Sequence, residues 1–114
     1  MTKLKVETVK TYLNKGRVYF TDHSNERMEE RDIDLRTILY KVKNGKIVDA
    51  IESFDTIRNA PACLVFLWYQ EKPAFVAFYY STQHDRVGIR TVGWIKKDSN
   101  YWKFQEKNFR ALVN

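Results

Sequence analysis

A chain of 114 residues, 44% hydrophobic and 15% aromatic, can bury one core and leaves no room for two ordinary domains. Its net charge of +6 and pI near 9.5 suit a polyanionic partner, RNA, DNA or an acidic protein, although lysines spread along the chain equally serve solubility. A single cysteine excludes an intramolecular disulfide framework, and without paired Cys/His spacing or a GxGxxG, P-loop, HExxH or GxSxG motif neither a metal nor a cofactor is expected.

Residues 3–14 place Val6, Val9 and Leu13 on one helical face, and Gly16 ends the segment. RVYFT, residues 17–21, reads as a short strand or extended lead-in. Thr21 or Asp22 then caps a short helix to about Arg31, in which Met28 is the one large apolar residue. Asp34 caps a stronger helix, with Leu35, Ile38, Leu39 and Val42 on one face and Gly45 as the stop.

The period changes at KIVDAIESF (46–54), which reads as a strand, followed by a turn region at 55–61. ACLVFLWYQ (62–70) and AFVAFYY (74–80) are apolar on both alternating sets, as in central strands covered on two faces, so Cys63 is expected in the core. EKP (71–73) turns between them, and STQHDR (81–86) leads into VGIRTVGW (87–94), where Val87, Ile89 and Thr91 alternate with Gly88, Arg90 and Val92. Asp98 or Ser99 caps a closing helix patterned by Trp102, Gln105, Phe109 and Leu112. The order predicts a single α+β domain: N-terminal helices packed on an antiparallel sheet of about four strands, with a C-terminal helix. The N-terminus lacks a signal-peptide core and no apolar run spans a bilayer, so the expectation is cytoplasmic, without a membrane partner.

Residues four apart on a helix drift by about 40°, so His23, Arg27 and Arg31 form one stripe. Two arginines at that spacing repel mildly unless an anion lies between them, and a phosphodiester is such an anion. A histidine beside them completes the elements of acid–base RNA cleavage, a proton carrier next to cations that stabilise a pentacoordinate phosphate. Glu26, Glu30, Asp32 and Asp34 offer the alternative of a solvated ion-pair network. Arg90 is a second candidate, on the face of its strand with Gly88 and Val92, where it binds an anion or simply snorkels to solvent. Of Tyr79 and Tyr80 one points to the core, and the outward one can stack on a base or donate a proton. Trp94, Tyr101 and Trp102 form either a stacking platform or a cap on a small core.

The run HSNERMEERDI fits H-x3-R-M-x2-R-x-I and resembles the signature helix of a large, uncharacterised bacterial and phage domain family. The resemblance extends through LRTILYKVKNGKIVDA, ACLVF, KPAFVAFYY and IRTVGW to Trp102, so that it covers residues 18–102. That family is distantly similar to RelE- and BrnT-type ribonuclease toxins, which implies N-terminal helices on an antiparallel sheet. The single domain expected over residues 1–114 then comprises an N-terminal helix (1–16), a toxin-like α+β core (17–102) and a C-terminal helix (98–114).

The resemblance implies a small basic RNA-directed protein, in its sharpest form a metal-independent endoribonuclease. His23, Arg27, Arg31, Arg90 and Tyr80 would be catalytic, with Tyr79 as the other outward candidate. Arg27, Arg31, Arg90, Thr91 and Trp94 would contact the nucleic acid, Thr91 matching a threonine of the family's last strand. Two positions depart from the family pattern: Phe75 stands where a histidine is common, and Gly93 where a tyrosine is. These substitutions favour the alternative, a non-catalytic phage or mobile-element regulator that binds a protein, such as an antitoxin or host factor, or a nucleic acid.

Overall fold

The computed structural model describes residues 2–96 and 98–111; Leu112 and the side chains of His23, Arg27, Tyr101, Lys103, Phe104, Asn108, Phe109 and Ala111 lie outside the described residues. The chain runs α1 (Val6–Asn14), β1 (Val18–Phe20), α2 (Asp22–Glu30), α3 (Leu35–Lys43), β2 (Asp49–Asp55), β3 (Ala60–Tyr69), β4 (Lys72–Ser81), β5 (Arg86–Trp94) and α4 (Asn100–Ala111). No helix among these residues is long and apolar enough to cross a membrane.

The predicted α+β architecture holds, with one correction: the sheet has five strands rather than four, in the order β1-β5-β4-β3-β2. Strands β2 to β5 form the expected antiparallel meander. The lead-in at residues 17–21 supplies the fifth strand by pairing parallel to β5, Tyr19 opposite Gly88 and Phe20 opposite Ile89. Three residues carry too little pattern to announce this, because their partner lies some seventy residues later. The β3–β4 connection is also tighter than EKP suggests. Gln70 and Glu71 both take positive φ, as a two-residue type I′ turn requires, and Pro73 is already in β4.

Helix boundaries follow the local chemistry. The Thr21 hydroxyl accepts the Ser24 amide at 3.0 Å, and the Ser99 hydroxyl accepts the Trp102 amide at 3.2 Å. At the end of α3, Gly45 (φ +74°) and Lys46 donate to the Val42 and Lys41 carbonyls, turning the chain toward β2.

Strand alternation gives the sheet two unlike faces. One carries Cys63, Val65, Leu67, Val76, Phe78, Val87, Ile89 and Val92 against Leu4, Val9 and Leu13 of the α1 segment, Met28 of α2, and Ile38 and Val42 of α3. Each large side chain buried there contributes about 1.5–3 kcal/mol, so this layer holds the domain together. The second face has a smaller cluster, Phe66 and Trp102 with Val48, Leu64, Trp68, Phe75 and Ile95. Among the described residues, helix α4 packs on this end, its Trp102 ring stacked on Trp68 at 6.3 Å. Among the described residues, the other end of the second face is left open.

Candidate functional site

The open end of the sheet gathers charged and aromatic side chains because of an irregularity in β5. Ile89 pairs with Phe78 and Thr91 with Ala77, so Arg90 is an extra residue without a cross-strand partner. A bulge of this kind re-aims side chains. Strict alternation would put Val92 beside Arg90, but Val92 is fully buried on the helix-covered face. Arg90 and Thr91 instead both stand on the open face, so the alternation expected for β5 holds up to Arg90 and fails at Thr91 and Val92.

Arg90 meets Asp55, the last residue of β2, with 3.9 Å between its Nε and Asp55 Oδ2. Asp55 is fully buried, and its carboxylate organises the β2–β3 turn by accepting the Ile57 and Arg58 amides at 3.1 Å each. Its second oxygen takes a 3.0 Å hydrogen bond from Arg58 Nη1. Burial alone would raise the Asp55 pKa, but the Arg58 amide and guanidinium and the Arg90 charge outweigh it and hold the carboxyl below its usual value. One carboxylate thus positions two arginines and neutralises only one of them. Beneath Arg90, the small side chains of Ser53, Ala62 and Ala77 border a depression of about 50 Å³.

The Arg58 guanidinium lies over the Tyr79 ring, 4.5 Å from its centroid. Tyr79 in turn crosses Gly88 to reach Tyr19, and the Tyr79 hydroxyl donates to the Tyr19 hydroxyl at 2.5 Å. Only glycine permits this approach, since a Cβ at position 88 would sit inside the Tyr79 ring. Burial, reinforced by the bond to Tyr19, pushes the Tyr79 hydroxyl up to about 12 against the opposing pull of Arg58, so it keeps its proton at neutral pH. His84 stands edge-on to Tyr19, ring centroids 6.4 Å apart. Tyr19, Arg58, Asn59 and Tyr79 line an open cavity of about 370 Å³ that Thr82 and Gln83 of the β4–β5 turn also border.

Of the residues expected at a site, Arg90 joins this cluster, and Thr91 shares its face. Between the two tyrosines the geometry selects Tyr79. Tyr80 faces the helices, where its hydroxyl donates to Asp85 at 2.7 Å beside Tyr12 (2.5 Å) and Arg17 (3.0 Å). These bonds lower the Asp85 pKa, the Tyr12 hydroxyl foremost, and the bond to Asp85 raises that of Tyr80. Arg31 is spent elsewhere, donating to the Val92 carbonyl along the edge of β5 that β1 leaves unpaired. Trp94 donates back to the Arg31 carbonyl at 3.0 Å and packs on Tyr69, and Trp102 is buried, so neither is a free stacking platform.

Helix α2 as a whole covers that edge. Ser24 and Met28 form its buried side, and its cap residue Thr21 donates to the Ile89 and Arg90 carbonyls at 3.3 and 3.4 Å. Position 23 is therefore in the helical turn that begins against Arg90, while the side chains of His23 and Arg27 lie outside the described residues. The two departures from the family pattern have structural partners. Phe75 belongs to the Trp102 cluster, and Gly93 leaves the space that the Arg31 guanidinium occupies.

Sequence reasoning missed Asp55, Arg58 and Tyr19. The first two fell in a stretch read only as a turn, although Asp followed three residues later by Arg is a pattern that lets a carboxylate close the turn and hold the guanidinium. For Tyr19 no local signal exists, since its partner comes from β4.

Residues 20–94 match the model of a family described as a domain of unknown function, DUF4258; the match spans β5 and the two turns of the cluster and leaves out α1 and α4. No curated protein and no solved structure matches the chain.

Proposed function

This chain belongs to the DUF4258 family, and from the geometry of its open sheet face we propose that it is an RNA-directed domain holding a phosphodiester between Arg58 and Arg90. The observation that carries this reading is the pair of guanidiniums set by one buried carboxylate. Arg90 donates no side-chain hydrogen bond among the described residues, and Arg58 uses one of its five N–H donors on Asp55. Such forks match phosphate oxygens, and the net charge of +6 steers a polyanion toward them. RNA, rather than another phosphoester, follows from the resemblance to RelE- and BrnT-type toxins.

In the sharper form of the proposal the site cleaves RNA without a metal. The ribose 2′-oxygen attacks the adjacent phosphorus, the bond to the 5′-oxygen breaks, and a 2′,3′-cyclic phosphate remains. One group takes the 2′ proton and another protonates the departing 5′-oxygen. The Tyr79–Tyr19 hydroxyl pair serves as the donor, Tyr19 giving up its own proton while it accepts that of Tyr79, and His23, in the helical turn that starts against Arg90, serves as the base. The arginines stabilise the charge on the pentacoordinate phosphorus. Incubating a mixed RNA pool with chelator present tests this: wild type leaves cyclic-phosphate ends, whereas His23→Ala and Arg90→Ala leave none while keeping their circular dichroism spectra. Equal cleavage by wild type and both variants refutes it.

A second reading keeps the binding and drops the turnover. Phe75 and Gly93 are built into packing, so neither position supplies a proton carrier. On this reading the face holds a folded RNA or an acidic protein partner such as an antitoxin. It predicts saturable, salt-sensitive binding with no cyclic-phosphate product.

A further inference from the structure

The cavity beside the arginines has features that a phosphate clamp does not require. Its volume of about 370 Å³ is that of a small-ligand pocket. Arg58 covers one face of the Tyr79 ring, so the Tyr79–Arg58 stack can be extended by a further planar group on the outer side of the guanidinium. The cavity walls come from two different turns. Asn59 from the β2–β3 turn and Gln83 from the β4–β5 turn both border it, and neither side-chain amide makes a hydrogen bond among the described residues. An amide offers an acceptor and two donors, the combination that pairs with the edges of nucleobases. Asn59 stands at φ +51° directly before β3.

We propose that this cavity is a nucleobase subsite, in which the base adjoining the phosphate held by Arg58 and Arg90 stacks on Arg58 and is read by Asn59 and Gln83. The inference rests on the phosphodiester reading above and narrows its substrate to single-stranded RNA with a preferred base. A paired base inside a duplex has both faces stacked and its Watson–Crick edge occupied, whereas an unstacked base in a loop or free strand has them available.

The test is fluorescence anisotropy with labelled pentanucleotides of sequence UUXUU, X being A, C, G, U or an abasic ribose, at several salt concentrations. Proteins compared are wild type, Asn59→Ala/Gln83→Ala and Arg90→Ala. Wild type is expected to bind its preferred base about tenfold more tightly than the abasic strand, the effect of one stacked base. The double variant should compress the spread among the four bases to less than about threefold, with its salt dependence unchanged. Arg90→Ala should weaken all five strands alike and flatten the salt dependence. Equal wild-type affinity for all five strands overturns the subsite and leaves the phosphate reading standing. A full spread retained by the double variant overturns the readout by the two amides. Absence of salt-dependent binding to any strand overturns the phosphate reading and the subsite with it. Single Gln83→Ala, on an exposed turn, repeats the measurement should the double variant unfold.

Discussion

Replacing Asp55 with asparagine removes a charge and one acceptor oxygen while keeping the size of the side chain. Asparagine Oδ1 still accepts the Ile57 and Arg58 amides, so the β2–β3 turn keeps its two bonds of 3.1 Å. What disappears is the 3.0 Å bond from Arg58, because the amide nitrogen that replaces Oδ2 donates and cannot accept, and the 3.9 Å attraction to Arg90. A hydrogen bond to a charged group contributes about 1.5–3 kcal/mol. Because the Arg58 side chain is 31% exposed, water compensates part of its loss and sets the lower end of that range. Arg90, 44% exposed, adds about 0.5 kcal/mol. The expected cost is therefore about 2 kcal/mol at neutral pH, or about 8 °C in Tm for a chain of 114 residues.

The pH dependence provides the sharper check. The folded-state pKa of Asp55 is lowered, so its contribution is complete above the unfolded value of about 3.9 and is lost as the pH falls through the folded value. Asparagine does not titrate. Thermal unfolding followed by circular dichroism should show the gap between wild type and Asp55→Asn at neutral pH, closing at pH values well below about 3.9. A gap that is absent at neutral pH, or that persists undiminished in acid, refutes the assignment of Asp55 as the ionised partner of the two arginines.

Gly93→Ala should displace the Arg31 guanidinium from the Val92 carbonyl and cost about 1–2 kcal/mol in urea titrations, but far less in an Arg31→Ala background, which additive costs would contradict. Raising the pH should destabilise the fold through Tyr79: its pKa is about 12 when folded, so its stabilising contribution is full below the unfolded value of about 10 and is lost as the pH rises through about 12. Comparing Tyr79→Phe with wild type across that window should show the wild type losing its advantage. The Cys63 thiol, buried and pushed up to about 11 chiefly by burial, should resist alkylation at about pH 8 until denaturant unfolds the chain; rapid labelling of native protein would contradict its place in the core.

Much of the fold is legible in local chemistry. The α3 face, with Ile38 and Val42, and the apolar strands β3 and β4 follow from hydrophobic periodicity, and Thr21 and Ser99 cap their helices as their side chains dictate. The candidate site is less legible. His23, Arg27 and Arg31 attract attention because a helix displays its spacing in sequence, yet Arg31 is committed to the Val92 carbonyl. Arg90 is visible as a charge in an apolar strand, but that Thr91 rather than Val92 shares its face depends on a bulge, and a one-residue insertion in pairing shows itself only against the neighbouring strand.

By itself, then, the sequence determined the α+β class, the order of elements and the basic charge that favours a polyanion, since propensity, periodicity and net charge are properties of neighbouring residues. Only the tertiary structure decided that β1 closes the sheet on β5, that Tyr79 rather than Tyr80 faces the open surface, and that Asp55 gathers Arg58 and Arg90. Those choices depend on pairing between segments up to some seventy residues apart. Phase between strands sets which way a side chain points, and no stretch of sequence carries its own phase relative to a distant partner.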